Sequence, residues 1–314
     1  MTRNALLALV CWLGSLAVPV VAEIRVVTTS PALADLTRQV AGPEVEVQAL
    51  MRGPENPHNV VPKPSFVMKL RKADLFVHLG LDAEPWVPAL VRGARREHLL
   101  PGGAGNIDAS RGIPLAEIPS RGGLSRALGD IHVYGNTHYL LDPLNGVIAA
   151  RTIAEALARV DPARAEEFRA NADGFAARIR DLTERLTQRM EPYAGTAVVT
   201  YHRTWPYFLR RFRLEKIGEV EPKPGIAPGP RHVLAVAEEM TRRGVKVVIV
   251  ETFSNHQVAQ RVAERAEGRA LVLAQEVRSL PQVDSYEALF EYNVTALIET
   301  FRELEPAPAG NASP

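Results

Sequence analysis

Apolar and polar positions follow two rhythms along this chain, and the rhythms alternate. The β-branched run "IRVVTT" at 24–29 reads as a strand; Ser30-Pro31 ends it, and an amphipathic segment closed by Gly42 reads as a helix. "VEVQALM" at 45–51 is a second strand. "PSFVMKLRKADLFVHLG" predicts a helix over about 64–72 and a third strand over 74–79. Strands alternating with helices imply a parallel sheet with helices on its faces. The stretch 101–130 is rich in Gly, Ser and Arg and weakly periodic; it reads as loop with one short strand.

From Asn145 onward the period is helical. "GVIAARTIAEALARV" is one helix. The segment 161–190 is predicted as another, with Asp161 as its N-cap and Pro162 at the first helical position. At ~1.5 Å per residue, ~29 helical residues run ~43 Å, longer than a small domain is wide, so this helix must lie along two lobes. The heptad pattern is poor and Gly174 interrupts it, which argues against a free coiled coil. The alternation then restarts: strands at 196–201, 213–220, 245–251 and 269–274, helices at 205–212, 228–244 and 256–268, and a closing helix at 285–304. The expected fold class is α/β, with two lobes, each a parallel sheet flanked by helices, joined by one long rigid helix. The expected boundaries are a signal peptide at 1–22, an N-terminal lobe at 23–160, the linking helix at 161–190, a C-terminal lobe at 191–304 and a disordered tail at 305–314.

The leader changes the chemistry that remains. "MTRNALLALVCWLGSLAVPVVAE" has Arg3, an apolar run broken by Gly14 and Pro19, and a small residue at Ala22, the layout of a cleaved secretory signal. A membrane anchor and a lipoprotein built on Cys11 are the alternatives; Val10 is branched where a lipoprotein signal has a small residue. Cleavage after Ala22 removes Cys11, the one cysteine of the 314 residues, so the exported protein has neither a disulfide nor a thiolate ligand. A metal site must then use His, Asp, Glu or water. The formal charge of +1 drops to zero with the loss of Arg3, which leaves no basic footprint for nucleic acid. The exported chain is expected to be periplasmic, not membrane-spanning, and a monomer.

Ligands of open α/β sheets bind beyond the carboxyl ends of the strands. Three of the eight histidines fall in irregular loops at such places. His58 lies in "ENPHNVVPKPS" after the second strand, His138 in "GNTHYLLDP" before a helix, and His202 ends "TAVVTYH". Each alone reads as a solvated loop residue; together they are candidates to converge on one cleft. His78 reads as packed within a strand, and His98, His232 and His256 lie near helix ends or turns. His132 is a candidate to hydrogen-bond a ligand or to sit at the mouth of a site. HExxH, P-loop and G-x-S-x-G patterns are absent from the sequence.

The motifs "NPHNVVPKPS", "LRKADLFVHLGLDAEPW", "GNTHYLLDPLNG", "VVTYHRTWPYFLRRF", "VKVVIVETFSN" and "DSYEALFEYNVTAL", in this order, resemble the periplasmic zinc and manganese solute-binding proteins of ABC importers, the ZnuA/TroA-like group. The resemblance covers essentially the whole exported chain. It implies two lobes with a metal held between them, an ABC permease as partner, and a periplasmic metallochaperone as a further candidate partner. It also implies His58, His138 and His202 as ligands, with an acidic residue after the last strand as the fourth. Here the sequence departs: no aspartate follows that strand directly. Glu276 is the nearest carboxylate and the preferred candidate. Glu55, Asp284 and a water are alternatives, and Asp284 can instead cap the last helix, since it and Ser285 precede an apolar run. Residues 101–130 hold no histidine, so no zinc-gathering loop is expected there.

Three imidazoles and one oxygen suit tetrahedral Zn²⁺, whereas Mn²⁺ prefers more oxygen ligands. Zinc is therefore the expected cargo, with a manganese- or iron-specific protein as the alternative. A zinc-dependent hydrolase needs a positioned general base. Glu55, Asp142 and Glu251 are the candidates, but no local pairing singles one out. Asp142 reads as a helix cap or as a hydrogen-bond partner of a ligand histidine. The protein is thus read as a carrier, not an enzyme. A carrier of an organic chelate, with incidental histidines, is a further reading.

Overall fold

A computed structural model describes residues 24–119, 134–223 and 225–304. The expected leader (1–22), the tail (305–314) and His132 lie outside the described residues.

The first sheet contains β1 (Arg25–Thr28), β2 (Glu46–Ala49), β3 (Leu75–His78) and β4 (Asn106–Asp108), all parallel, in the order β2-β1-β3-β4. The second contains β5 (Ala197–Thr200), β6 (Glu215–Glu219), β7 (Val247–Glu251) and β8 (Arg269–Leu273), parallel, in the matching order β6-β5-β7-β8. In both sheets the winding reverses beside the first strand, between β1 and β3 and between β5 and β7. Such a reversal opens a crevice at the carboxyl ends of the strands.

Helices α1 (Pro31–Ala41), α2 (Pro64–Leu70), α3 (Val87–Ala94) and α4 (Pro143–Val160) accompany the first sheet. Helices α6 (Pro206–Arg211), α7 (Pro230–Arg243), α8 (His256–Arg265) and α9 (Tyr286–Leu304) accompany the second. The long α5 (Ala165–Met190) links them. α1 starts where the Ser30 side chain accepts from the Leu33 N–H with Pro31 at the first turn, and it stops at Gly42 with φ 74°. The predicted start of the linking helix is corrected. The Asp161 N–H closes α4 on Leu157, the chain turns through a 3₁₀ segment at Pro162–Arg164, and the α-helix begins at Ala165. The Asp161 side chain makes no capping hydrogen bond.

One apolar core runs under both lobes. Leu36 of α1, Ile153 of α4, Phe175 of α5, Phe208 of α6 and Phe290 of α9 all belong to it, while separate smaller cores cover the far face of each sheet. Fully burying a side chain of this size is worth ~1.5–3 kcal/mol, so hinging the lobes apart is costly. Close packing is visible at Gly146 of α4: a Cβ there would lie 2.3 Å from the Tyr286 ring at the start of α9. No described helix is long and apolar enough to cross a membrane.

α9 also corrects an expected cap. Asp284 is exposed; the first-turn N–H of Ala288 donates to Ser285 Oγ, and the Tyr286 N–H donates to Asp35 Oδ2 of α1.

Candidate metal centre

The first candidate ligand sits on a short, stiff segment. The Asn56 side chain accepts from the His58 N–H and caps the 3₁₀ turn Pro57–Asn59, with prolines on both sides. The Trp86 indole N–H donates to the Pro57 carbonyl at 2.9 Å. The buried His58 ring places Nδ1 2.7 Å from the Ala83 carbonyl. A carbonyl only accepts, so Nδ1 carries the proton and the lone pair lies on Nε2.

His138 is held by an amide. Asn136 donates through Nδ2 to the Arg203 carbonyl and to Glu117, which turns its Oδ1 toward the His138 N–H and Nδ1 at 3.0 and 3.1 Å. Again Nδ1 is the donor. The loop carrying His138 is clamped from the second lobe. Tyr207 donates to the Asn136 carbonyl, Tyr286 donates to the Leu140 carbonyl, and Arg211 pairs with Asp142 through two contacts of 2.9 Å. Asp142 caps α4 through the Leu144 N–H, as one of its two predicted roles required.

His202 follows β5 and is held by a carboxylate: Glu221 Oε2 lies 2.5 Å from Nδ1. Burial works against the charged ring, but the Glu221 hydrogen bond and the charges of Glu251, Glu221 and Glu219 outweigh it, and the pKa of His202 is raised. Glu251 is fully buried, accepting from the Trp205 indole and the Ser254 hydroxyl.

The three rings face one another, with centroids 5.4 Å (His58–His138), 5.8 Å (His138–His202) and 6.4 Å (His58–His202) apart. One ring nitrogen of each lies within 4.8 Å of the others; among the described residues this is the group suited to hold a metal ion. Tetrahedral zinc with bonds of ~2.0–2.1 Å spaces its ligand nitrogens by about 3.3 Å, so a closure of about 1.5 Å at most lets the rings share one ion.

Glu276 is not in that group. Its Oε1 accepts from the Ala32 N–H at 2.7 Å and from the Val277 N–H at 2.8 Å, so the carboxyl tethers the second lobe to the start of α1. Burial raises its pKa to about 7 despite those donors. Glu276 still lines a cavity of ≈ 40 Å³ beside His138, together with Glu55, Gln275 and Phe253. That volume is large enough for a water. Glu55 is engaged within its own loop by Arg52 and the Gly53 N–H. Its pKa is lowered: burial pushes it up, but these hydrogen bonds prevail. The other described histidines are spent on structure: His78 on Asn106, and His98, His232 and His256 on backbone carbonyls.

The groups that orient the rings were not among the residues expected from the sequence. Glu221 lies beyond the carboxyl end of β6, so the rule that singled out His202 applied to it as well. Asn136, two residues before His138, has the spacing of an Asx turn. The Ala83 carbonyl carries no sequence signal.

Comparison with known proteins adds a family. Residues 26–300 match the family described as "Zinc-uptake complex component A periplasmic". The zinc-binding protein AdcA of Streptococcus pyogenes is 24% identical over 259 residues, 80% of this chain; the chain spans about half of AdcA's length, 50%. The high-affinity zinc uptake system protein ZnuA of Paracoccus denitrificans is 28% identical over 301 residues, covering 86% of this chain and 89% of that protein. A crystal structure of ZnuA superposes with a TM-score of 0.75 at 22% identity, over 89% of this chain and 99% of that one, and shares the fold. A match of this extent, on a chain with two like-ordered parallel sheets and a linking helix, has one conclusion: this protein belongs to the periplasmic zinc-uptake component A family.

Proposed function

We propose that this protein captures a divalent transition-metal ion, zinc by preference, outside the cytoplasm and delivers it to an ABC permease for import. His58, His138 and His202 bind the ion through Nε2, and an oxygen from Glu276, Glu55 or a water in the adjoining cavity completes the shell. The observation that carries this reading is the convergence of three imidazoles from both lobes, each with Nδ1 committed to an acceptor. The family description and the zinc-related names of the AdcA and ZnuA relatives support it. Three nitrogen donors favour zinc over manganese.

The reading is of a carrier. The acidic side chains near the rings are engaged: Glu221 by His202, Glu251 by Trp205 and Ser254, Glu55 by Arg52. None of these contacts leaves a carboxylate poised as a general base toward a substrate. Export through cleavage after Ala22 and a monomeric state complete the proposal.

The test is elemental analysis of protein purified without added metal, followed by competition titration with zinc and manganese. The expected result is one zinc per chain, bound more tightly than manganese, and loss of that zinc in His58→Ala, His138→Ala and His202→Ala. Wild-type stoichiometry in all three variants would overturn it.

A further inference from the structure

Glu84 is an expensive residue in its place. It is 4% exposed, lies at the end of the turn after β3, and has no part in the metal site as described. Burial raises its pKa to about 8, against the Thr29 hydroxyl and the Leu79 N–H. A buried carboxyl is retained against such a penalty when its oxygens hold something that an apolar side chain cannot.

What it holds is a turn of unusual backbone. Gly80, Leu81 and Asp82 all have positive φ, at 75°, 53° and 57°. Two of these are not glycine, so the conformation is unfavourable for the local sequence and needs external support. Gly80 cannot change, because a Cβ there would lie 2.0 Å from Asp108 Oδ1. The turn is closed by the Ala83 N–H on the Gly80 carbonyl and by the Leu79 N–H on Glu84 Oε2, both at 2.9 Å. The residue it delivers is Ala83, whose carbonyl accepts from His58 Nδ1.

We propose that Glu84 is a positioning residue for the cation site: by tying Leu79 across the left-handed turn, it aims the Ala83 carbonyl at His58 and fixes the ring with Nε2 toward the ion. The inference rests on the metal-binding reading above. It differs from a general role in folding because it predicts a change in one named ring. Groups that orient a metal-binding histidine are worth ~10–100-fold in metal affinity.

The experiment uses the full exported chain. Zinc affinity is measured by chelator competition, and the protonation of the His58 ring nitrogens is read from ¹⁵N imidazole spectra of the metal-free protein. Glu84→Leu removes the acceptor; it is expected to weaken zinc binding ~10–100-fold and to abolish the Nδ1–H pattern of His58, leaving His202 unchanged. Glu84→Gln can still accept from Leu79 through its carbonyl oxygen and is expected to restore both readings. If the leucine variant does not fold, Glu84→Asp, which withdraws the acceptor by one methylene, takes its place with the same expected loss. The proposal is overturned if the folded leucine or aspartate variant binds zinc like wild type with an unaltered His58 pattern. A lower melting temperature with both readings unaltered, or a glutamine variant as weak as the leucine one, overturns it equally. His58→Ala is the control: if it binds zinc like wild type, the metal-site reading itself fails, and not only the role of Glu84.

Discussion

His58 and His202 present the same tautomer to the same point by opposite means. In the first lobe the ring leans on a neutral backbone carbonyl, carried by a turn with three consecutive positive φ angles. In the second lobe the ring leans on the Glu221 carboxylate, with the buried Glu251 charge close enough to contribute. One lobe supplies geometry and the other supplies negative charge. A carboxylate behind an imidazole makes it a stronger base and a stronger metal ligand; a carbonyl mostly orients it. The cleft is therefore asymmetric although its two sheets share one strand order.

Substitutions on each lobe test this asymmetry. Removing a ring has the largest effect: each His→Ala variant is expected to lose zinc affinity by on the order of 100-fold or more, with His202→Ala the weakest binder of the three. Equal losses at all three positions would erase the proposed asymmetry. Next comes the charge behind the ring. Glu221→Gln keeps an acceptor but removes the charge, and is expected to cost ~10–100-fold, whereas Asn136→Ala is expected to cost about 10-fold or less. Competition titrations at one pH decide the order.

Smaller still is the clamp on the His138 loop. Arg211→Ala leaves Asp142, whose side chain is 4% exposed, with its capping bond but without its cation. Arg211 is 30% exposed, so the loss is below that of a fully buried pair, about 2 kcal/mol, seen as a melting temperature lower by several degrees. Zinc affinity should change less than in Glu221→Gln. An unchanged melting temperature would remove this pair from the account of how the lobes hold together.

The last prediction concerns pH. Glu84 goes from an ordinary value of 4.5 to about 8 on folding, so between those values the folded state holds a proton that the unfolded chain has lost. Stability from this group is present below the window and is lost as pH rises through it. His202 is also raised, so its contribution is full below its unfolded value of about 6.5 and is lost above its folded one. Both act in one direction: the metal-free protein should melt at a lower temperature at pH 8.5 than at pH 6. Zinc needs neutral imidazoles, so its stabilisation grows over the same range. Calorimetry should find the two melting curves diverging as pH rises and converging toward pH 5.5; parallel curves would show that these protons are not linked to the metal.

Much of the fold was legible because strand and helix periods are local. The alternation of β-branched runs with amphipathic segments predicted both parallel sheets, and Ser30-Pro31 and Gly42 bracketed α1. α3 was not predicted: it is short, with Pro88 in its first turn. Of the two residues read before α9, Asp284 and Ser285, it is Ser285 that accepts from the first turn, joined by the distant Asp35.

The two-lobed α/β layout and the three loop histidines worth watching can be read from local stretches of the chain. That those rings face one another, that Glu276 reaches across 244 residues to the start of α1, and which acceptor stands behind each ring all come from packing between distant elements. The reason is range. A period or a cap is set by residues within one turn of each other, whereas a hydrogen-bond partner in a cleft is set by how whole elements pack, and that is written in no single stretch of the chain.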